Sequence, residues 1–100
     1  MKFPKKIKIA GHVYQVLFPY KFRERSDLCG HADHNLLEIR VSDTDSCGNK
    51  LPESKLLGIF IHEIIHCISH AWDIGLEETQ VLNLEEGFLA FLTNNGFLKT

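Results

Sequence analysis

The sequence lacks a long hydrophobic run, and it has no marked surplus of either charge. No apolar stretch approaches the roughly 20 residues that a membrane-spanning helix needs. The charged, proline-containing start is not followed by the apolar core of a signal peptide. The formal net charge is −2, and the lysines cluster only within the first eight positions, so no basic stripe is available for nucleic acid. We therefore expect a protein that binds neither nucleic acid nor a membrane.

Cysteine is also scarce. Cys29, Cys47 and Cys67 form an odd set without the spacing of a disulfide framework, which is typical of reduced thiols in a cytosolic protein. One hundred residues with 44% hydrophobic content are enough for one core and too few for two. We expect a single cytoplasmic domain spanning residues 1–100.

What the chain does contain is the motif His62-Glu63-Ile64-Ile65-His66. On a helix the two histidines lie about 40° apart around the axis, so both imidazoles can bind one metal ion while Glu63 flanks them. This H-E-x-x-H pattern is typical of zinc-dependent peptidases, in which the metal polarises a water molecule and the glutamate is the general base. The alternative interpretation is a core helix whose histidines are half-buried and hydrogen-bonded to neighbours.

The context of the motif favours a helix. Between Pro52 and Trp72 apolar residues recur at helical spacing, namely Leu57, Phe60, Ile61, Ile64, Ile65 and Ile68. Pro52 suits the first turn, and Gly75 is the expected C-cap after an end before Asp73.

The remaining pattern predicts four strands and a second helix. Alternating apolar residues indicate a hairpin over 7–18 and further strands over 28–33 and 36–41. The second helix begins near Glu77 and ends at Asn94-Asn95-Gly96. The predicted fold is α+β, a small antiparallel sheet of about four strands packed on two helices, as in a minimal zincin-like metallopeptidase domain.

A catalytic zinc ion takes three protein ligands and one water, so the motif leaves one ligand to find. Glu78, Glu85 and Glu86 on the second helix are the candidates. A helical hairpin turning near Ile74 brings residues around 84 level with the motif. Glu85 lies within the apolar stripe, where an unpaired carboxylate would be costly. Periodicity alone therefore favours Glu85 or Glu86.

The chain resembles short phage and mobile-element proteins related to the ImmA/IrrE-like zinc metallopeptidases, which are minimal gluzincins. The resemblance is carried by the motif, by Glu78-Thr-Gln-Val-Leu-Asn-Leu84, by the segment 87–95, and by the strand segments 6–16, 28–30 and 39–41. It implies that Glu78, three residues before Val81 and six before Leu84, is the third zinc ligand. Glu85 is a departure, because that position is usually small in the family.

The expected chemistry is hydrolysis of a peptide or protein substrate with zinc as cofactor, held by His62, His66 and Glu78, and with Glu63 as general base. An extended substrate could pair with the strand over 36–41 if that strand is the sheet edge. Tyr14, Tyr20 and His70 are candidate oxyanion donors. The cluster Cys29-Gly-His-Ala-Asp-His34 is a weaker candidate ligand set, because it lacks paired zinc spacing.

Two other interpretations belong to different classes. The chain could be a zinc-binding interaction module of a phage or mobile element that cuts nothing. Alternatively, the helices could form an interaction surface without any metal.

Overall fold

The fold is a four-stranded sheet, a helix packed against it, and a second helix packed against the first. The computed structural model describes residues 2–23 and 27–97. The elements are β1 (Lys6–Ile9), β2 (His12–Leu17), β3 (Gly30–Asp33), β4 (Glu38–Val41), α1 (Glu53–Ala71) and α2 (Glu78–Asn94). The predicted α+β class, with four strands and two helices, is confirmed.

The sheet is mixed, whereas the sequence predicted an antiparallel one. Its strand order is β1-β2-β4-β3, with β2 and β4 parallel and the other two pairs antiparallel. The β1–β2 hairpin turns at Ala10 and Gly11, which both have positive φ, the turn type that matches the twist of the flanking strands. The chain then reaches the far edge as β3 and returns as β4 between β2 and β3, which makes the β2–β4 pair parallel.

The strand order also decides which strand is open to a partner. β4 is internal, and its Ile39 and Val41 are fully buried. The condition for substrate pairing along residues 36–41, that this strand is the sheet edge, is therefore not met. The edge on that side of the sheet is β3, because β4 pairs with β2 on one side and with β3 on the other.

Helix α1 begins directly after Pro52 and ends by a backbone motif that does not need glycine. Asp73 adopts a φ of 52°, in the left-handed region that Asp tolerates better than most residues. Its N–H donates to the carbonyl of His70 at 3.3 Å, and the N–H of Ile74 donates to the carbonyl of Ser69 at 2.9 Å, which is the Schellman arrangement. The sequence predicted Gly75 as the C-cap, and this prediction is wrong. Asp73, two residues earlier, has the left-handed conformation that ends the helix.

Helix α1 is covered on two sides, so its buried arc is wider than a single apolar stripe. Leu56, Phe60 and Cys67 join the core with Ile39 and Val41 of the sheet. Ile68, expected in the stripe, is instead exposed. The buried arc includes the polar positions Glu63 and Ser69, so the general-base candidate of the motif lies inside the fold.

Helix α2 has the predicted limits. Glu77 and Gln80 form a capping box at its start, and Gly96 has the positive φ that ends it. Val81 is fully buried, while several large apolar side chains of the helix are exposed: Leu82 on one side, and Leu84, Phe88 and Phe91 together on another. Neither helix within the described residues is long and apolar enough to cross a membrane.

Candidate metal centre

Three side chains predicted as metal ligands converge between the two helices. His62 and His66 lie one turn apart on α1, and Glu78 is the first residue of α2. The carboxylate of Glu78 approaches both rings, with Oε1 2.6 Å from His62 Nε2 and Oε2 3.1 Å from His66 Nε2. The two Nε2 atoms lie 3.2 Å apart. Within residues 2–23 and 27–97 this is the one group of three such side chains placed to share an ion.

The donor set fits a zinc ion in chemistry and in spacing. Two imidazole nitrogens and one carboxylate oxygen are the protein ligands of one class of catalytic zinc site. Two ligand atoms on a tetrahedral zinc at 2.0–2.1 Å lie roughly 3.3 Å apart. The separations of 2.6, 3.1 and 3.2 Å are close to that value, and the first two are made by different oxygens of Glu78. With one ligand atom from each side chain the group lies within 4.8 Å, so the side chains would have to move for one ion to bind all three.

Glu85 orients His62 from the opposite side of the ring. Its Oε1 lies 2.9 Å from His62 Nδ1, and its side chain is 20% exposed. An ionised carboxylate can only accept a hydrogen bond, so a ring proton on Nδ1 is donated to Glu85. With that proton in place, a metal ion bound at Nε2 would take the lone pair that remains. Carboxylates commonly orient metal-binding histidines in this way. Of the three candidate glutamates, Glu78 thus joins the histidine pair, Glu85 supports it from behind, and Glu86 is exposed outside the group.

Gly58 makes room for this supporting carboxylate. It lies one turn before His62 on the buried side of α1. A Cβ at this position would lie 2.8 Å from Glu85 Oε2. Sequence reasoning missed this residue. The available signal was a glycine inside a strongly apolar helix, which costs about 1 kcal/mol relative to alanine and often marks a close approach.

Glu63 is enclosed beside the metal group. Only 7% of the residue is exposed. Burial raises its pKa to about 7; the carboxylates of Glu78 and Glu85 add to the rise, and His62 opposes it. Gly30 of β3 covers the carboxyl group, since a Cβ there would lie 2.9 Å from Glu63 Oε2. The strand and the helix can approach this closely only because residue 30 has no side chain.

A cleft of about 350 Å³ opens over the metal group, between β3 and the helices. This volume lies within the range of small-molecule and peptide sites. His31 and Ala32 of β3 line it, together with His34 from the turn that follows. The cleft is therefore bordered by the edge strand β3, by the three candidate ligands and by the buried carboxyl group of Glu63.

The predicted oxyanion donors do not line this cleft. Tyr14 is 3% exposed within the core, Tyr20 lies under the guanidinium of Arg40 at 5.5 Å, and the ring of His70 stacks on that of His34 at 4.1 Å. His34, which does line the cleft, was considered only as part of the Cys29–His34 cluster.

That cluster does not form a ligand set. The Asp33 carboxylate accepts hydrogen bonds from the backbone N–H groups of Asn35 and Leu36 and from Arg40. His34 turns to Tyr14, whose hydroxyl lies 3.2 Å from its Nδ1. Burial lowers the pKa of His34, and neighbouring imidazoles, with His70 the strongest, lower it further, so the ring is neutral at pH 7.

Comparisons with protein families, with curated proteins and with solved structures give no match to this chain. The resemblance to zinc metallopeptidases therefore stays a prediction from the motif. What the centre can do chemically is argued below from its own residues.

Proposed function

We propose that this protein is a zinc-dependent peptidase of the H-E-x-x-H type. The observation that carries the proposal is the convergence of His62, His66 and Glu78 beside the enclosed carboxyl group of Glu63. A plain core helix does not need two imidazole nitrogens and a carboxylate facing one point. Nor does it need a further carboxyl group buried beside them, because an unpaired buried carboxylate is costly.

His62, His66 and Glu78 would hold the metal, and Glu85 would keep His62 in the binding tautomer. A zinc ion held there supplies Lewis acidity, which lowers the pKa of a water molecule towards neutrality and polarises a peptide carbonyl. The remaining open side of the group faces the cleft, where water and substrate can enter.

Glu63 is the general base. It flanks the metal group and lines the cleft without being one of the three ligands. Its carboxylate accepts the proton of the attacking water and passes it to the nitrogen of the leaving amine. One water molecule is thus consumed for each peptide bond that is cleaved. The close approach of Gly30 on β3 restricts the movement of this carboxyl group at the wall of the cleft.

The substrate is a peptide or protein segment bound in extended form. β3 is an edge strand, and His31 and Ala32 line the cleft. An extended segment can pair with the main chain of such an edge. The proposed site of substrate pairing is thus β3, since β4, the conditional candidate from the sequence, is internal.

The free thiols of Cys29, Cys47 and Cys67 support a reducing compartment, so the proposal includes a cytoplasmic location. An origin in a phage or mobile element is the part of the proposal that rests on the resemblance alone.

The second candidate function is a zinc-binding interaction module without catalysis. The observation that favours it is the apolar solvent side of α2, where Phe88 and Phe91 are 50% and 55% exposed. Large exposed apolar side chains that cluster often mark a protein contact. Both candidates use the same metal ligands, so only a catalytic measurement separates them.

Glu63→Gln provides that measurement. The substitution keeps the size of the side chain and removes the base, so zinc content should stay native while peptide cleavage falls by a factor on the order of 10² or more. Cleavage of a broad peptide library by native protein, Glu63→Gln and the exposed control Glu86→Ala tests this. If zinc-loaded native protein cuts nothing in the library, the interaction module becomes the better account.

A further inference from the structure

A hydrogen bond links a buried tyrosine of the core to a histidine at the metal cleft. The hydroxyl of Tyr14 lies 3.2 Å from His34 Nδ1, and the thiol group of Cys67 is a neighbour of Tyr14 in the core. Tyr14 is 3% exposed and Cys67 is fully buried. Both hold their protons at neutral pH, because burial raises the pKa of Tyr14 and raises that of Cys67 to about 12.

The single hydroxyl proton of Tyr14 can go to only one neighbour. An imidazole nitrogen is a good acceptor, whereas sulfur is a weak acceptor and a weak donor. The favoured arrangement is therefore the Tyr14 hydroxyl donating to His34 Nδ1. A neutral imidazole carries one ring proton, so the proton of His34 is on Nε2.

The orientation of the His34 ring is fixed as well. It stacks on the ring of His70 with the planes 2° apart and the centroids 4.1 Å apart. With Nδ1 directed to Tyr14 in the core, Nε2 lies on the far side of the ring. His34 lies between two cavities, the cleft that Glu63 and His66 line and a neighbouring one that Tyr14 and His70 line.

We propose that His34 is the oxyanion donor of this site and that Tyr14 is the positioning residue that fixes its tautomer. The inference rests on the proposed peptidase function. As water adds to the scissile carbonyl carbon, the π electrons move to the carbonyl oxygen, and Nε2–H donates a hydrogen bond to that oxygen. The proton stays on His34 throughout, and the proton delivered to the leaving amine comes from the water by way of Glu63.

The first test reads the tautomer directly and needs no activity. Long-range 1H–15N correlation spectra of the histidine rings at pH 7 should show His34 with its proton on Nε2 in native protein, with and without zinc. In Tyr14→Phe the same ring should shift towards a mixture of tautomers, while the exposed His12 ring is unchanged. The amide spectrum reports whether the variant is folded. A native His34 with its proton on Nδ1 would overturn the proposal.

The second test reads catalysis. His34→Phe keeps a ring to stack on His70 and removes the donor, so kcat should fall on the order of 10²-fold or more with little change in KM. His34→Gln, whose amide N–H2 can donate from a nearby position, should restore part of kcat. Tyr14→Phe should lower kcat by a smaller factor with KM unchanged. His12→Phe, the same change on an exposed strand position, should be neutral.

The outcomes separate the two proposals. If native protein cuts peptides and His34→Phe cuts them equally well, the role of His34 is wrong while the peptidase function stands. If zinc-loaded native protein cuts no peptide, the peptidase function has failed, and the catalytic role of His34 fails with it. The tautomer measured by the first test would then describe a structural contact alone.

Discussion

Replacing Glu85 with alanine should weaken zinc binding without weakening the fold. Glu85 contacts the metal group through one hydrogen bond, 2.9 Å from His62 Nδ1. Loss of a carboxylate that orients a metal-binding histidine typically lowers affinity 10–100-fold. This factor corresponds to about 1.4–2.8 kcal/mol, in the range of a hydrogen bond to a charged group. The fold of the metal-free protein should change little, because the Glu85 side chain is 20% exposed and water can replace it as the acceptor for His62 Nδ1.

Competition with a chromophoric chelator at neutral pH measures this effect. Native protein, Glu85→Ala and Glu86→Ala form the series, since Glu86 is an exposed glutamate on the same helix and its loss should leave affinity unchanged. Thermal unfolding of the metal-free proteins checks the fold. Native affinity in Glu85→Ala would refute the orienting role. Complete loss of binding in Glu85→Ala, together with native binding in Glu78→Ala, would show that the wrong glutamate was assigned as ligand.

Three further predictions concern the ligand on α2, the close contact on β3 and the buried base. Glu78→Ala should lower zinc affinity at least tenfold in the same chelator assay, because it removes one of three ligands; an unchanged affinity would exclude Glu78 as a ligand. Gly30→Ala should destabilise the protein by about 1–3 kcal/mol in urea unfolding, because the new Cβ would lie 2.5 Å from Ile59 Cγ2. Gly87→Ala is the control: no atom lies within 4 Å of a Cβ built there, so this substitution should be neutral or stabilising. In the metal-free protein, the free energy of unfolding should fall by about 3 kcal/mol as pH rises from 4.5 to about 7. The reason is that the pKa of Glu63 is raised over that interval, so the folded state keeps a proton that the unfolded state loses. If Glu63→Gln keeps the same slope with pH, Glu63 is not the group responsible.

The local parts of the fold could be predicted from the sequence. The limits of α2 follow from Glu77 at its start and Gly96 after its end, and the β1–β2 hairpin follows from the alternating residues on both sides of Gly11. Such signals depend on neighbours in the chain, so they need no knowledge of packing. The placement of His62 and His66 on one helix face is predictable for the same reason.

The non-local parts could not be predicted. Alternation identifies a strand but not its neighbours, so the pattern of residues 36–41 did not reveal that β3 would take the edge. The choice between Glu78 and Glu85 depends on how α2 crosses α1, because the two positions are seven residues apart and lie on the same helix face. His34 was considered only as a possible ligand and not as a donor, because its partners, Tyr14 and His70, are distant in the chain.

The most direct test of the central claim is the zinc content and zinc affinity of purified native protein beside those of His62→Ala and His66→Ala. The account predicts about one zinc ion per native chain and loss of tight binding in both variants, because each removes one of three protein ligands. Circular dichroism should show that both variants keep their helices. Stoichiometric, tightly bound zinc in either variant, or native protein that binds no zinc, would contradict the account.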